Sequence, residues 1–400
     1  MKKNETIRAL RLKVFDYTRK MIKNHGPRLA GTNESIACSE EIAEILTNYA
    51  DHIEKQTFKV HKGAFLGWIR ILVFFYIVSL GFIWFNLPYV AYILTGISIV
   101  LLILQFILYL PIIDWLYPKK PAQNIIGTIE PANEAKQTII ISGHHDSARI
   151  FNFFVHQPSL YNLRVTGSIF MVVTMLVLSI LLNVFPDLGP FALLFKIILS
   201  AGALLVVQMW FFASKKGTPG AGDNLIATNI ALVLGEYFKE NPLNHTRIKV
   251  VSFDAEEEGL RGARYFAKHT DLTKLPTILL NADCIYDEKE LFFLTSDINN
   301  TVKLSETLAK DLQKTAKALD IKTTVKPIAI LTGGTDAAEI AKKNVRATTL
   351  IGMPWSNDSR SNVYHTPNDL PEAVSKKAVE AALAIFKTYI EERDQALKTG

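Results

Sequence analysis

Four long runs of apolar residues dominate this 400-residue sequence and limit the folds open to it. They lie at 64–85, 89–113, 167–185 and 191–213 and contain almost no charged residues. Each run has about 19 to 25 residues, enough at about 1.5 Å per residue for a helix to cross a hydrocarbon layer about 30 Å thick. Core helices of soluble proteins rarely stay apolar on every face for so long. The sequence therefore predicts four transmembrane helices.

Short helix-breaking links divide the four runs into two pairs. The first two runs are separated by Asn86, Leu87 and Pro88, and the last two by 186–190, which contains two prolines. Each pair is therefore predicted to form a hairpin that enters and leaves the membrane on one side. The predicted hairpins are 64–116 and 163–213, and the segments 1–63, 117–162 and 214–400 together form one domain outside the membrane.

Basic residues near the predicted helices indicate which side of the membrane this domain occupies. The flanks that join the domain carry lysines, among them Lys119, Lys120 and Lys215, whereas both hairpin turns carry no lysine or arginine. By the positive-inside rule the domain faces the cytoplasm. The absence of a signal-peptide pattern in 1–63 agrees with this orientation. The net charge of +6 comes largely from the flanks, which predicts the lipid bilayer as a partner and not nucleic acid.

Outside the hairpins, β-rich segments alternate with helical patterns. Helical spacing of apolar residues predicts helices at 3–24, 34–50, 223–240, 260–269, 301–319, 336–343 and 371–397. The predicted strands are 56–60, 124–129, 138–142, 248–253, 278–282 and 347–351. This alternation predicts an α/β fold with a mostly parallel central sheet flanked by helices.

Candidate metal-binding side chains follow the predicted strand at 138–142. His144 and Asp146 are two positions apart, so in an extended chain they point to the same side, and His145 points elsewhere. A carboxylate that accepts a hydrogen bond from the far ring nitrogen of a metal-bound histidine fixes the tautomer of that histidine. His144 is therefore a candidate ligand with Asp146 as its supporting partner, although this spacing alone is also common in surface histidines.

Other segments place acidic residues or a histidine at comparable positions. Asp223 begins a predicted helix, where an ordinary helix cap is the simpler interpretation. Three consecutive glutamates at 256–258 follow a strand and repel one another unless cations or solvent intervene, so a metal site and a solvated loop are both open. Asp283 ends a strand, and His365 lies in a proline-containing turn. The joint occurrence of these segments in this order indicates a metal site.

The order H-x-D, P-G-A-x-D-N, A-E-E-x-G-L-x-G, a strand-ending Asp and Y-H-T-P-x-D resembles the co-catalytic di-zinc aminopeptidases, which are related to bacterial leucyl aminopeptidase and glutamate carboxypeptidase. The resemblance covers the whole predicted domain. It implies two zinc ions bridged by Asp223, with cobalt and manganese as alternative metals. It also implies that His144 and Asp283 complete the site of one ion, and that Glu257 and His365 complete the site of the other.

The same resemblance implies the reaction. Glu256 is assigned as general base and is grouped with Asp146 as catalytic, and Asp336 is assigned as the residue that supports His365. Because three glutamates are consecutive, the assignment of base and ligand could be shifted by one residue. The glycine and leucine that follow the run decide the assignment. The implied activity is hydrolysis of a peptide bond next to a free amino terminus, by a zinc-activated water with Glu256 as base.

Two features depart from that family. Its members are commonly secreted or lumenal, and they ordinarily lack transmembrane hairpins inside the catalytic domain. The second predicted hairpin lies between His144 and Asp223 in the sequence, so we expect the active site to open toward the membrane surface. The expected substrates are hydrophobic or membrane-associated peptides. The sequence leaves homo-oligomer formation open.

Three other interpretations stay open. One is a one-zinc aminoacyl cyclotransferase, because glutaminyl cyclases share this fold. Another is a catalytically inactive membrane receptor or scaffold, although residues of the expected type occupy all five ligand positions. The third is a transporter, but apart from Arg70, which opens the first helix, Lys196 is the only charge inside the predicted helices and offers little for a translocation path.

Overall fold

The computed structural model describes residues 2–355 and 362–397. The chain divides into two compact units. The first, here called the α/β unit, comprises Met1–Lys62, Lys119–Arg149 and Lys216–Gly400. The second, the helical unit, comprises Gly63–Pro118 and Ile150–Lys215. The segment 150–162 packs with the helical unit, whereas the sequence predicts it in the domain outside the membrane. Its aromatic side chains explain the difference, since the ring of Phe153 packs edge-on against Phe212 at 5.6 Å.

The described strands and helices follow in chain order. The strands are β1 (His52–His61), β2 (Lys119–Ile129), β3 (Gln137–His144), β4 (Arg149–Phe151), β5 (Ala213–Gly217), β6 (Thr246–Phe253), β7 (Thr277–Ile285), β8 (Leu291–Leu294), β9 (Ser296–Asp297), β10 (Val302–Lys303), β11 (Thr324–Lys326) and β12 (Arg346–Gly352). The helices are α1 (Lys2–His25), α2 (Asn33–Thr47), α3 (Gly67–Trp84), α4 (Pro88–Leu101), α5 (Asn152–Val155), α6 (Tyr161–Val184), α7 (Pro190–Gln208), α8 (Ile226–Glu240), α9 (Arg261–His269), α10 (Glu306–Ala318), α11 (Ala337–Ala341) and α12 (Lys376–Ala396).

Eight of the described strands form one sheet in the order β1-β2-β6-β3-β7-β12-β8-β11. Strand β3 pairs in parallel with β6 and with β7, and β7 pairs in parallel with β12. Antiparallel pairs join β1 to β2, β2 to β6 and β12 to β8. The predicted fold class, an α/β fold with a mostly parallel central sheet flanked by helices, is confirmed.

The central strand β3 is buried along its whole length, and three consecutive isoleucines, 139–141, form its middle. Helix α8 packs against β3 near its carboxyl end, where Gly143 leaves the necessary space. A Cβ atom on Gly143 would lie 2.6 Å from the backbone nitrogen of Thr228. The hydroxyl of Thr228 donates a hydrogen bond to the carbonyl oxygen of His144, at 2.9 Å. The glycine therefore lets α8 approach the residue that ends the strand.

The helical unit contains four helices long and apolar enough to cross a membrane. They are Gly67–Trp84, Pro88–Ile107, Pro158–Val184 and Pro190–Phe211. Several polar side chains inside this unit hydrogen-bond to backbone carbonyl groups of its helices; Tyr76, for example, donates to the carbonyl oxygen of Leu199 at 2.8 Å. The outer surface is apolar, with Phe85 and Leu204 each about three-quarters exposed. These four helices agree with the four predicted from the sequence.

Candidate active site

The candidate site lies at the carboxyl edge of three neighbouring parallel strands. His144 is the last residue of β3, Asp283 lies near the end of β7, and Glu256 and Glu257 follow the end of β6. Because β6, β3 and β7 run in the same direction, their carboxyl ends lie together, which is where open α/β sheets bind ligands. The sheet order therefore brings together side chains that are far apart in the sequence.

Three groups of side chains have ligand atoms that all lie within 4.8 Å of one another. The first is His144, Asp223 and Asp283, the second is Asp223, Glu257 and His365, and the third is His144, Glu256 and Glu257. The first two groups share Asp223. They contain the same residues that the resemblance implies as the two halves of a di-zinc site. All five predicted metal ligands therefore lie together, and their metal-binding roles stay predictions.

Asp223 faces a different histidine with each of its carboxylate oxygens. Its Oδ1 lies 3.3 Å from Nε2 of His144, and its Oδ2 lies 3.2 Å from Nε2 of His365. Glu257 approaches the same nitrogen of His365, at 3.6 Å from Oε1. This is the arrangement of a carboxylate that can bridge two cations.

Asp223 does not lie inside a helix, although the sequence predicts a helix from 223. Its φ and ψ of −120° and 83° are non-helical, and the Asp223–Asn224 peptide bond is cis. The α-helix begins only at Ile226. The carboxylate of Asp369 accepts hydrogen bonds from the backbone nitrogens of Gly222 at 2.8 Å and Asp223 at 3.2 Å. Asp369 therefore supports the turn that carries the predicted bridging residue.

Asp146 contacts both His144 and the loop that carries the glutamates. Nδ1 of His144 lies 3.1 Å from the carbonyl oxygen of Asp146 and 3.4 Å from its carboxylate. When Nδ1 carries the ring proton and donates a hydrogen bond to this carbonyl, Nε2 is the unprotonated ring nitrogen and can bind a metal. The carboxylate of Asp146 accepts from the backbone nitrogens of Glu256 and Glu257, each at 3.1 Å. The predicted support of His144 thus comes mainly from the carbonyl, and the carboxylate positions the glutamate loop.

The three consecutive glutamates point to different surroundings. Oε2 of Glu256 lies 3.8 Å from Nε2 of His144, whereas Glu257 lies beside His365. Glu258 pairs instead with Arg149, at 3.7 Å. The positions of the side chains agree with the assignment of Glu257 as ligand and leave Glu256 next to the metal-binding groups.

The predicted role of Asp336 as the residue that supports His365 stays a prediction. This residue precedes α11 and is fully buried. Within the described part of the chain, neither of its carboxylate oxygens has a hydrogen-bond partner. Burial raises the pKa of Asp336 well above its ordinary value, and the charges of His144 and Asp283 act on it next most strongly.

Two buried aspartates support the site without having been assigned a role from the sequence. Asp369 ends the Y-H-T-P-x-D motif, and Asp254 directly follows β6. Asp254 accepts from the backbone nitrogens of Ala255 at 2.8 Å and Gln123 at 3.0 Å. The only sign of this supporting role in the sequence is that each aspartate lies within a few residues of a candidate ligand. Whether a carboxylate is buried and accepts backbone hydrogen bonds depends on segments that are distant in the chain.

Burial and the crowding of carboxylates dominate the electrostatics. Burial raises the pKa of Asp283 to about 7. Burial likewise raises the pKa values of Glu256 and Glu257 well above the ordinary range of glutamate, and each has a neighbouring carboxylate that raises its pKa further. For Asp223 burial also opposes ionisation, but the two neighbouring histidines stabilise its carboxylate, and its pKa lies below its ordinary value. Full ionisation would give the cluster more negative charge than its histidines can neutralise, so burial without a cation favours the protonated forms of Glu256, Glu257 and Asp283.

The donor atoms fit a zinc site. Among the described residues, Nε2 of His144 and Oδ2 of Asp223 are buried and have no hydrogen-bond partner of good geometry. A buried polar atom without a partner is costly, and a bound cation would remove that cost for both atoms. Imidazole nitrogens and carboxylate oxygens are common zinc ligands. The site therefore has the composition and the burial of a divalent-metal site, and a bound divalent cation would stabilise its carboxylates in the ionised form.

Comparisons with known proteins relate the chain to zinc enzymes. Residues 207–390 match the family model described as peptidase family M28. This segment includes Asp223, Glu256 and His365, whereas His144 precedes it. Comparison with curated proteins gave no match.

Solved structures share the fold at low sequence identity. A glutaminyl cyclase from Porphyromonas gingivalis is 14% identical, with 96% of this chain and 98% of that chain covered and a TM-score of 0.58. A leucine aminopeptidase precursor from Bacteroides thetaiotaomicron is 13% identical, with 95% and 96% covered and a TM-score of 0.57. A zinc aminopeptidase from Bacillus subtilis is 14% identical, with 96% of this chain and 94% of that chain covered and a TM-score of 0.57. The chain therefore has a fold found in zinc aminopeptidases and in glutaminyl cyclases.

Proposed function

We propose that this protein is a membrane-anchored di-zinc aminopeptidase. The observation that supports this most directly is the position of Asp223, whose two oxygens face His144 and His365. Each of these pairs has a further carboxylate within ligand distance, Asp283 for the first and Glu257 for the second. A one-metal enzyme would need only one of these two sets, so the presence of both favours two ions.

The proposed reaction assigns roles to residues of the chain. Bound zinc would lower the pKa of a coordinated water to about 7 and polarise the carbonyl of the scissile bond. His144, Asp223 and Asp283 would hold one ion, and Glu257 and His365 would complete the second with Asp223. Glu256 has the position of a general base, because it lies beside His144 but outside the two sets that share Asp223. It would accept a proton from the attacking water and return it to the departing amine.

A second candidate function is aminoacyl cyclisation at a single zinc ion, which the structural likeness to glutaminyl cyclases favours. Zinc content and product chemistry separate the two. We expect the purified full-length protein in detergent to hold about two zinc ions per chain, to hydrolyse aminoacyl nitroanilides, and to lose that activity on treatment with a strong chelator. About one zinc ion per chain, with cyclisation of amino-terminal glutamine and no hydrolysis, would replace the proposal by its alternative.

We further propose that the helical unit anchors the protein in a membrane and that the α/β unit faces the cytoplasm. The support is the length and hydropathy of the four helices, together with basic residues that flank them only on the side of the α/β unit. The two native cysteines, Cys38 and Cys284, are buried, so single introduced cysteines can report the orientation. Lys268 in α9 and Asp187 in a hairpin turn are both exposed positions for this purpose.

Labelling of these two variants with a membrane-impermeant maleimide tests the orientation. In intact cells, Asp187→Cys should be labelled and Lys268→Cys should be labelled only after the membrane is permeabilised. The opposite pattern would place the α/β unit outside the cytoplasm. Labelling of both positions in intact and tightly sealed cells would contradict membrane spanning.

A further inference from the structure

Arg28 is fully buried in the α/β unit, between α1 and α2. Its guanidinium donates to four backbone carbonyl groups. Nε donates to His145 at 2.8 Å, Nη1 donates to Gly26 at 2.6 Å and to Pro219 at 2.9 Å, and Nη2 donates to Gly220 at 3.1 Å. One side chain thus satisfies carbonyl groups from three separate segments of the chain.

Two of these segments carry the candidate metal ligands. His145 directly follows His144, and Gly220 lies three residues before Asp223. The main chain of Arg28 also contacts the first segment, because its nitrogen donates to the hydroxyl of Ser147 at 2.9 Å and its carbonyl accepts from the nitrogen of Ser147 at 3.0 Å. Arg28 therefore connects the His144 loop to the turn that leads into Asp223.

The geometry requires arginine at this position. A guanidinium has five donors in a planar fork, whereas a lysine ammonium has three donors at one point and cannot reach carbonyl groups on opposite sides. The fit is close, because a Cβ atom on Gly220 would lie 2.7 Å from Nη2 of Arg28. Burial lowers the pKa of Arg28, while Cys38, Asp369 and Asp146 favour its charged form. Loss of the side chain would leave buried carbonyl groups without donors, which is unfavourable.

We infer that Arg28 is a positioning residue that sets the distance between His144 and Asp223 and thereby the affinity of the site for zinc. His144 and Asp223 are 3.3 Å apart at their nearest polar atoms, and each lies on a loop that Arg28 contacts through a neighbouring carbonyl. Partners that orient metal ligands typically change metal affinity 10- to 100-fold when they are removed, about the effect expected here. The inference rests on the proposed metal site and does not depend on which reaction that site catalyses.

The test compares zinc affinity in full-length variants purified in detergent, measured by competition with a chromophoric chelator. Arg28→Met should weaken zinc binding about 10- to 100-fold. Arg28→Lys keeps the positive charge and should disturb the fold less than Arg28→Met does, and it should weaken zinc binding by about tenfold. Arg11→Met is the matched control. Arg11 is also largely buried and pairs with Glu380 at 2.6 Å, on helices α1 and α12 and outside both ligand loops.

Thermal unfolding of the zinc-free proteins separates positioning from general stability. We expect Arg11→Met to lower the melting temperature but to keep zinc affinity within about twofold of wild type. Zinc affinity within twofold of wild type in a folded Arg28→Lys or Arg28→Met variant would overturn the role of Arg28. If Arg11→Met lost zinc affinity in proportion to its fall in melting temperature, zinc affinity would simply follow general stability. That result would overturn the role of Arg28 as well. A wild-type protein that binds no zinc would instead overturn the proposed metal site itself.

Discussion

Replacement of Glu256 by glutamine should remove most of the turnover and leave the zinc content unchanged. Glutamine has nearly the same shape but cannot accept a proton, and a positioned general base typically contributes about 10²- to 10⁴-fold to the rate. The loop should keep its conformation, because the backbone nitrogen of residue 256 donates to Asp146 whichever side chain is present. Metal should stay bound, because Glu256 lies outside both groups that share Asp223.

The measurement is kcat with an aminoacyl nitroanilide, alongside elemental analysis of zinc. Glu258→Gln is the matched control, since Glu258 is the adjacent glutamate and pairs with Arg149 outside the three ligand groups. It should keep activity within a few fold of wild type. Near-normal turnover in Glu256→Gln, or a large loss in Glu258→Gln alone, would contradict the assignment of the base.

The same inactive variant can identify substrates. We propose hydrophobic or membrane-associated peptides, on the ground that the second pair of membrane helices lies between His144 and Asp223 in the chain. Amino-terminal peptidomics of membranes that contain wild-type protein or Glu256→Gln should show such peptides accumulating only with the variant. Accumulation of soluble hydrophilic peptides instead would contradict this substrate class.

Replacement of Asp223 by asparagine should weaken the binding of both zinc ions together. An amide removes the negative charge that both ions would share, and only one of its two polar atoms can bind a cation. Removing a residue that merely orients a ligand costs about 10- to 100-fold in affinity, and loss of a shared ligand should exceed that range. Activity should fall in parallel, because the loss of either ion disables the site.

Zinc content after dialysis against a weak chelator measures this effect. Asp394→Asn is a suitable control, because Asp394 is a buried aspartate that accepts from the backbone nitrogens of Asn244 and His245, each at 2.8 Å, and is absent from the ligand groups. This control should lower stability and retain zinc. Unchanged zinc content in Asp223→Asn would exclude Asp223 as a bridging ligand.

Much of the fold follows from local properties of the sequence. The four helices that are long and apolar enough to cross a membrane depend only on the length and composition of their own segments, and each overlaps its predicted run, although Pro158–Val184 begins nine residues before the predicted start at 167. The strands at the centre of the sheet, such as β3 and β7, are long apolar runs and were equally predictable. Strands β8 and β11 were not predicted, because they have only four and three residues and owe their conformation to pairing with neighbours.

The sequence by itself determined which residue types are available for a metal site and the order in which they occur. Only the tertiary structure decided which of them meet. It brought Asp223 between His144 and His365 and separated Glu258 from the other two glutamates. It also revealed Arg28 as the residue that joins two ligand loops. These contacts depend on the order of strands in the sheet. That order brings together residues that are far apart in the sequence, so it cannot be predicted from the spacing of residues along the chain.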